Sequence, residues 1–391
     1  MKNFLAICLC LGFLPVAKPA YGADMEKIAE DYNELGFQLL AQCRQTLAET
    51  NYFLSPASLA FALSMVQNGA RGETLRQILS TLHVTNIPAA QLDEENKALM
   101  DHLSKLDANI KLEIANAIWV DKGEPVKPDF IAMNQRDYGA GIFNADFSDP
   151  STLADINNWV SDRTHDKIKS IINRLDPNLR LILLNAIYFK ADWARPFDTN
   201  LTQPKAFTLG NGQVIQHPRM SRTANYNYCL REKFQLLELP YVGQQISMFV
   251  LLPNVGLKEF LQEFTMADFQ DAIVRLYSEK VTLEMPRFKL ENEYDLTKVL
   301  RLMGMPLAFS LAADFSGMSD QQLNIGFVKQ KTYVDVNEQG TEAAAVTVVG
   351  VGRGARMEEP VPFIVDRPFL IVIRENQSGL ILFLGAIFDP R

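Results

Sequence analysis

"EQGTEAAAVTVVGVGRGARMEEP", residues 338–360, is the stretch on which the reading of this chain turns. It contains no aromatic residue and no leucine, and its charges are pushed towards its two ends. Between them lie small and β-branched residues, then Gly350, Gly352 and Gly354 around Arg353 and Arg356. Such a composition is a poor helix former and too β-prone for an ordinary loop. Split by the period of a strand, one face reads Thr341, Ala343, Ala345, Thr347, Val349, Val351 and the other Glu342, Ala344, Val346, Val348, Gly350, Gly352. Both faces are small, so the segment can slide between two existing strands without a bulky side chain catching. A glycine-arginine loop suited to protease attack follows it. A segment that reads both as exposed loop and as inserted strand is a switch; the plainer alternative is a core strand joined to a flexible loop. A nucleotide-binding loop is excluded, because the glycines miss the G-x-G-x-x-G spacing and Pro360 and Pro362 forbid the helix that must follow.

Outward from that stretch, catalytic chemistry is scarce. The four histidines, His83, His102, His165 and His217, never fall at metal-ligand spacing, and no H-E-x-x-H or G-x-S-x-G motif occurs. Gly317-Met318-Ser319-Asp320 lacks the second glycine of a nucleophile elbow. Neither a catalytic residue nor a metal or other cofactor is expected, and a secreted hydrolase remains only as a minor alternative.

The 391 residues are 48% hydrophobic and 21% charged, enough for a large core, and no linker, repeat or low-complexity tract divides them. The N-terminus, "MKNFLAICLCLGFLPVAKPAYGAD", has a positive start at Lys2, an apolar run from Phe4 to Val16 and a small-x-small site at Ala20-Tyr21-Gly22. It reads as a bacterial-type secretory signal over residues 1–22, leaving a single domain over 23–391 and a secreted protein, extracellular or periplasmic. Removing Lys2 and Lys18 leaves 36 basic against 46 acidic residues, a formal charge of −10, which argues against nucleic-acid partners. No other run is long enough to cross a membrane. Only Cys43 and Cys229 survive signal removal; they can form one disulfide or stand as two buried thiols.

Periodicity places helices early and strands late. Ile28, Tyr32, Leu35, Leu39, Cys43 and Leu47 make one face of a helix over 25–48. In "FLSPASLAFALSMVQNGARGE", Ser55 caps, Pro56 suits the first turn, Asn68-Gly69 stops the helix, and an apolar surface all round predicts burial. A short helix follows over 73–82. Strands are expected at 111–120, 179–193, "QISMFVLLP", "VTLEMPRF" and 326–340, with a C-terminal hairpin turning at Gln377-Ser378-Gly379. The class is α+β with large mixed sheets.

Four segments together resemble the serpin family over essentially the whole mature length: "NYFLSPASLAFALSMVQNGARGET", "LNAIYFKADWARPFD", "VDVNEQGTEAAA" and "DRPFLIVIRENQSGLILFLGAIFDP". The resemblance implies the serpin fold, helices with three β-sheets and an exposed reactive-centre loop, about 338–362, able to enter a strained five-stranded central sheet. It implies a suicide-substrate inhibitor, not an enzyme, and a monomer. Carried onto this chain, Glu338, Gly340, Thr341, Ala343, Ala344 and Ala345 match the hinge, and Ser55, Ser58, Asn185 and Trp193 the region beneath the opening sheet. Gln330 stands where many members carry a histidine bonded to the residue matching Asn185, so a lock made by glutamine would lose any response to pH.

Family spacing sets the bait bond sixteen residues beyond Glu338, at Gly354, or one earlier in a shorter loop, at Arg353. Arginine fills a trypsin-like pocket where glycine fills none, so Arg353–Gly354 is the expected bond and a trypsin-like serine protease the expected partner. Arg356–Met357 is the runner-up, and Gly354–Ala355, for an elastase-like or papain-like cysteine protease, the third choice. The permissive hinge favours inhibition over a non-inhibitory carrier or chaperone. Lys97, Lys105 and Lys111 are scattered among comparable acids, so no strong heparin-type polyanion partner is expected.

Overall fold

The computed structural model describes residues 21–46, 50–341 and 359–391. Residues 1–20 of the expected signal lie outside that description, as do Ala343, Ala344, Ala345, Arg353, Gly354, Arg356 and Met357.

In the first helix, Tyr21–Thr46, Ile28, Tyr32, Leu35, Leu39 and Cys43 of the predicted face are all in the core, while Leu47 lies outside the described residues. Beside it runs Pro56–Gln67, buried at every position. Ser55 caps that helix, its hydroxyl accepting from the backbone N–H of Ser58 at 3.3 Å, and Pro56 fills the first turn. The helix stops at Gln67, but Gly69 is needed for packing rather than for a left-handed turn: a β-carbon there would lie 2.8 Å from the Met318 side chain. The short helix is Gly72–Thr81.

Among the described residues the strands form two hydrogen-bonded sheets, where three were expected. In the larger, of nine strands, the order is Tyr52–Leu54, Ile381–Ile387, Phe369–Glu375, Ile246–Pro253, Phe234–Pro240, Val214–Leu230, Tyr277–Pro286, Val361–Ile364, with Gln203–Thr208 also on Val214–Leu230. The 17-residue strand Val214–Leu230 is the reason for the difference. Its start pairs with Gln203–Thr208, its end with Phe234–Pro240, and Tyr277–Pro286 follows it for most of its length, so one ladder runs through what the resemblance counts as two sheets. Phe369–Glu375 and Ile381–Ile387 form the expected C-terminal hairpin.

The second sheet is the one that matters for function. Its order is Phe288–Asp295, Ile325–Val336, Gly340–Thr341, Leu181–Asp192, Lys111–Asp121, Gly141–Ala145. Five of these are full strands; Gly340–Thr341 is a two-residue insertion. The strand Leu181–Asp192 is buried from its first residue through Phe189, as its apolar run, interrupted only by Asn185, requires. Leu181, Leu183, Ile187, Phe189 and Ala191 face the main core. Ile182, Leu184, Ala186 and Tyr188 face a smaller core covered by the helix Pro150–Arg163 through Ile156 and Val160.

Cys43 and Cys229 are both buried and are not joined in a disulfide. Burial pushes the Cys43 thiol up to about 12, so it behaves as a small apolar side chain.

Candidate functional site

Ile325–Val336 and Leu181–Asp192 run parallel and pair directly from Ile325 to Tyr333. At the far end they part, and the chain turns back between them. Asn337 donates its N–H to the carbonyl of Gly340 at 3.0 Å, closing a tight turn. Gly340 then pairs antiparallel with Asp192, and Thr341 with both Ala191 and Val336. Only glycine fits at 340, because a β-carbon would stand 2.2 Å from the Ala191 carbonyl oxygen.

Aromatic stacking holds this end of the sheet. Trp193 lies on Tyr241 at 4.5 Å between ring centroids and 14° between planes. The Trp193 backbone N–H donates to the carbonyl of Gln339 at 2.7 Å, and its indole N–H to the carbonyl of Asn337 at 3.0 Å. The Tyr241 hydroxyl and the Thr341 hydroxyl share a hydrogen bond of 2.8 Å, both residues being fully buried. Burial holds the Tyr241 phenol well above its usual range, with the Thr341 bond acting the other way, so it stays a neutral partner. Glu338, only 3% exposed, accepts from Arg287 Nε at 2.7 Å and from the Thr202 hydroxyl at 2.5 Å. A buried carboxylate needs such partners. Tyr241, Arg287 and Thr202 are absent from the sequence reading, and no local pattern in the sequence marks them.

Ser55, Ser58, Asn185 and Gln330 meet about midway along the same strand pair. Gln330 and Asn185 are register partners, and Gln330 Nε2 donates to Asn185 Oδ1 at 2.7 Å. The rest of the Gln330 amide addresses the backbone of Ser55: Oε1 accepts from the Ser55 N–H at 3.0 Å, and Nε2 donates to the Ser55 carbonyl at 2.9 Å. Asn185 Nδ2 donates to the Ser58 hydroxyl and to Asn116 Oδ1. Ser55 donates its hydroxyl to the Leu382 carbonyl at 2.7 Å. One polar network thus ties the start of a buried helix to three strands of one sheet and to the hairpin of the other. All its side chains are buried, so each lost bond leaves a group without water to replace it. Asn116 belongs to this network and escaped the sequence reading, although an asparagine inside "EIANAIWV" was a signal: an amide among apolar strand residues must find a partner.

Among the described residues, no group of three or more His, Cys, Asp or Glu could hold a metal ion, and no helix is long and apolar enough to cross a membrane.

The arrangement agrees with comparisons to known proteins. An uncharacterised serpin-like protein of Thermococcus kodakarensis is 35% identical, covering 87% of this chain and 81% of its own length. The leukocyte elastase inhibitor of Sus scrofa is 33% identical over 94% of this chain and 100% of its own. Human thyroxine-binding globulin, solved with its ligand, superposes with a TM-score of 0.88 at 27% identity, covering 94% of this chain and 99% of that one. A family model described as serpin (serine protease inhibitor) matches residues 30–390. A sheet opened at one end around Gly340–Thr341, the polar network below it and these matches lead to one conclusion: the chain belongs to the serpin family of serine protease inhibitors and is not an enzyme.

Proposed function

We propose that this protein is a secreted suicide-substrate inhibitor of trypsin-like serine proteases, with Arg353–Gly354 as the bond attacked. The observation that carries this reading is the hinge: Gly340 and Thr341 sit as the first rungs of an antiparallel strand between Ala191 and Val336. Below them the sheet is closed only by the parallel pair of Ile325–Val336 with Leu181–Asp192. The protease serine Oγ adds to the Arg353 carbonyl; the peptide bond to Gly354 breaks, and Gly354 leaves as a new protonated amine. Arg353 stays esterified to the enzyme. The freed segment then extends the strand that Gly340 and Thr341 begin, replacing one interstrand ladder by two and carrying the protease with it before water can hydrolyse the ester.

The register supports this step in detail. Continued from Thr341, it sets Ala343 and Ala345 on the inner face and brings Thr347 between Gln330 and Asn185. The hydrogen bond between those two amides must break there, and a threonine hydroxyl can both donate and accept in its place. Glu338, Gly340, Thr341 and Ala343 to Ala345 then act as the hinge, and Ser55, Ser58, Asn185, Gln330 and Trp193 as the parts that part or pivot. Residues 1–22 supply the export signal, of bacterial type.

The test is to mix the mature protein with trypsin near equimolar ratio and to weigh the C-terminal peptide released. The reading expects a covalent band stable in denaturant and a peptide beginning at Gly354. A peptide beginning at Met357 moves the bond to Arg356. Cleavage with fully active trypsin and no gain in stability of the cleaved chain overturns inhibition.

A second reading, a carrier, has one observation in its favour. A cavity of about 670 Å³ lies between the first helix, the helix Met266–Val274 and the C-terminal hairpin, lined by Asn33, Met266, Phe269, Ile273 and Arg374 among others. A cleaved form that gains no stability, together with saturable binding of an amphipathic ligand, is what this reading expects.

A further inference from the structure

Away from the hinge, the ends of four helices meet around a cavity of about 680 Å³, a size that takes a small molecule. Gln67 and Asn68 close the helix Pro56–Gln67 there, and Leu75 lies in the first turn and a half of Gly72–Thr81. Asp93 comes from the helix Ala89–Leu103, and Met133 and Asp137 from Pro128–Tyr138. The most deeply buried part of the lining is polar: Gln67 is 1% exposed, Asp93 7% and Asp137 8%. Leu75, Met133, Ala89 and Ala90 make the apolar part.

Charge in this cavity is not balanced. The Asp93 carboxylate accepts from the Tyr138 hydroxyl at 2.7 Å, from Asn68 Nδ2 at 3.0 Å and from Gln67 Nε2 at 3.4 Å. All three donors are neutral, and all three reach the same oxygen, Oδ1. Oδ2 has no hydrogen bond and Asp93 no ion pair among the described residues. Nor is Oδ2 one of the sealed polar atoms, so it opens on the cavity that its residue lines. Burial raises the Asp93 carboxyl above its ordinary range, and the charge of Asp137 adds to that. The neighbouring cations are committed elsewhere. Arg136 lies on Asp137 through two hydrogen bonds, Arg71 on the carbonyls of Asn68 and Ala70, and Lys97 stands 3.7 Å from Asp101 on its own helix. Gln67 Oε1, in the same wall, is buried without a hydrogen-bond partner. Turning that amide over would set its oxygen against Asp93 Oδ1, so the bare acceptor stays.

Such a wall suits a cation that brings N–H donors and an apolar body. We infer that this cavity is a binding site for a small aliphatic primary amine, with its ammonium on Asp93 Oδ2 and its chain along Met133 and Leu75. An ammonium carries three donors, enough to serve Gln67 Oε1 as well. A guanidinium matches less well, since its fork engages both carboxylate oxygens and Oδ1 is already full. A metal ion matches worse still, because no group of three His, Cys, Asp or Glu gathers among the described residues.

The test is a calorimetric titration of the mature protein with hexylamine near neutral pH and at physiological ionic strength. Hexanol and hexanoate serve as neutral and anionic probes of the same length. Hexylamine should bind at a single site at least about tenfold more tightly than hexanol, because a hydrogen bond to a buried carboxylate is charge-assisted. Hexanoate should show no saturable binding. Asp93→Asn keeps the shape and an Oδ1 acceptor but removes the charge, and should lower hexylamine to the affinity of hexanol while leaving hexanol unmoved. Met133→Trp keeps Asp93 and fills the apolar part of the cavity, so it should abolish saturable hexylamine binding; it decides the matter alone if Asp93→Asn does not fold. Failure of hexylamine to bind, equal binding of hexylamine and hexanol, or hexylamine binding that survives these substitutions overturns the inference. None of these outcomes depends on the trapping of a protease, so the loop-insertion reading is tested separately.

Discussion

Gln330 shows how one side chain can do the work of a backbone strand. Its amide meets both the N–H and the carbonyl of Ser55 while a second Nε2 hydrogen reaches Asn185, so three of its four hydrogen-bonding positions are used. An amide does not titrate, and a lock built on it holds equally at pH 5 and pH 8. Gln330→Leu strands the Ser55 N–H and Asn185 Oδ1 in the core and should cost about 3 kcal/mol, read as a lower urea midpoint. Gln330→His is more telling. A neutral imidazole can accept from the Ser55 N–H and donate through its other nitrogen; the protonated ring has no acceptor left. The folded state therefore favours the neutral ring and depresses its pKa below the free value of about 6.5. The stability it contributes is present above that pH and lost as pH falls through the folded pKa. Urea midpoints of the histidine variant should drop between about pH 7 and pH 5 relative to the unsubstituted chain; parallel curves would sink the idea. The sequence disclosed that glutamine could donate and accept. It did not disclose Ser55 as the partner, since that contact spans 275 positions of chain.

At the scale of elements, local chemistry was legible and long-range pairing was not. Ser55 and Pro56 announce the buried helix within two residues, because a cap and a first-turn proline act on their own backbone. The apolar run of Leu181–Phe189, broken only by Asn185, announces a strand covered on both faces. By contrast, nothing in Val214–Leu230 says that one strand will carry two groups of neighbours, because that depends on where other strands end. The hinge stands between these cases. Its small residues could be read from sequence, yet the seat of Thr341 against Tyr241 could not, and it makes the hinge testable. Thr341→Arg must bury a guanidinium beside a neutral phenol or withdraw the rung from the sheet, and withdrawal is the cheaper course. The rest of the fold does not depend on a two-residue strand. The expected outcome is a stable native chain that trypsin cuts as a plain substrate, with the trapped fraction on a denaturing gel reduced at least about tenfold. Trapping at the original level would show that Thr341 need not enter the sheet.

For the whole molecule, the central question is where the free energy of trapping resides. A conventional inhibitor stores it in the interface with its protease, so blocking the chemistry leaves affinity intact. On the loop-insertion reading, the energy lies in the chain's own sheet, which has five full strands, a sixth begun by two residues, and a polar network that keeps two strands paired. On that reading, what drives trapping is completion of the strand, which the protease surface does not supply. Trypsin whose active-site serine has been converted to dehydroalanine can occupy the loop but cannot break the bond, so it leaves the two ends of the loop joined and the sheet unable to close over it. It should bind reversibly, release intact inhibitor on dilution, and leave the urea midpoint shifted only by ordinary ligand linkage, a few kcal/mol at saturation. Active trypsin should yield a cleaved chain whose midpoint lies far above the native one even after the protease is removed, because the new strand remains. If the inactive enzyme stabilised the chain as much as cleavage does, the energy would lie in the interface, and the unfinished sheet would have no part in inhibition.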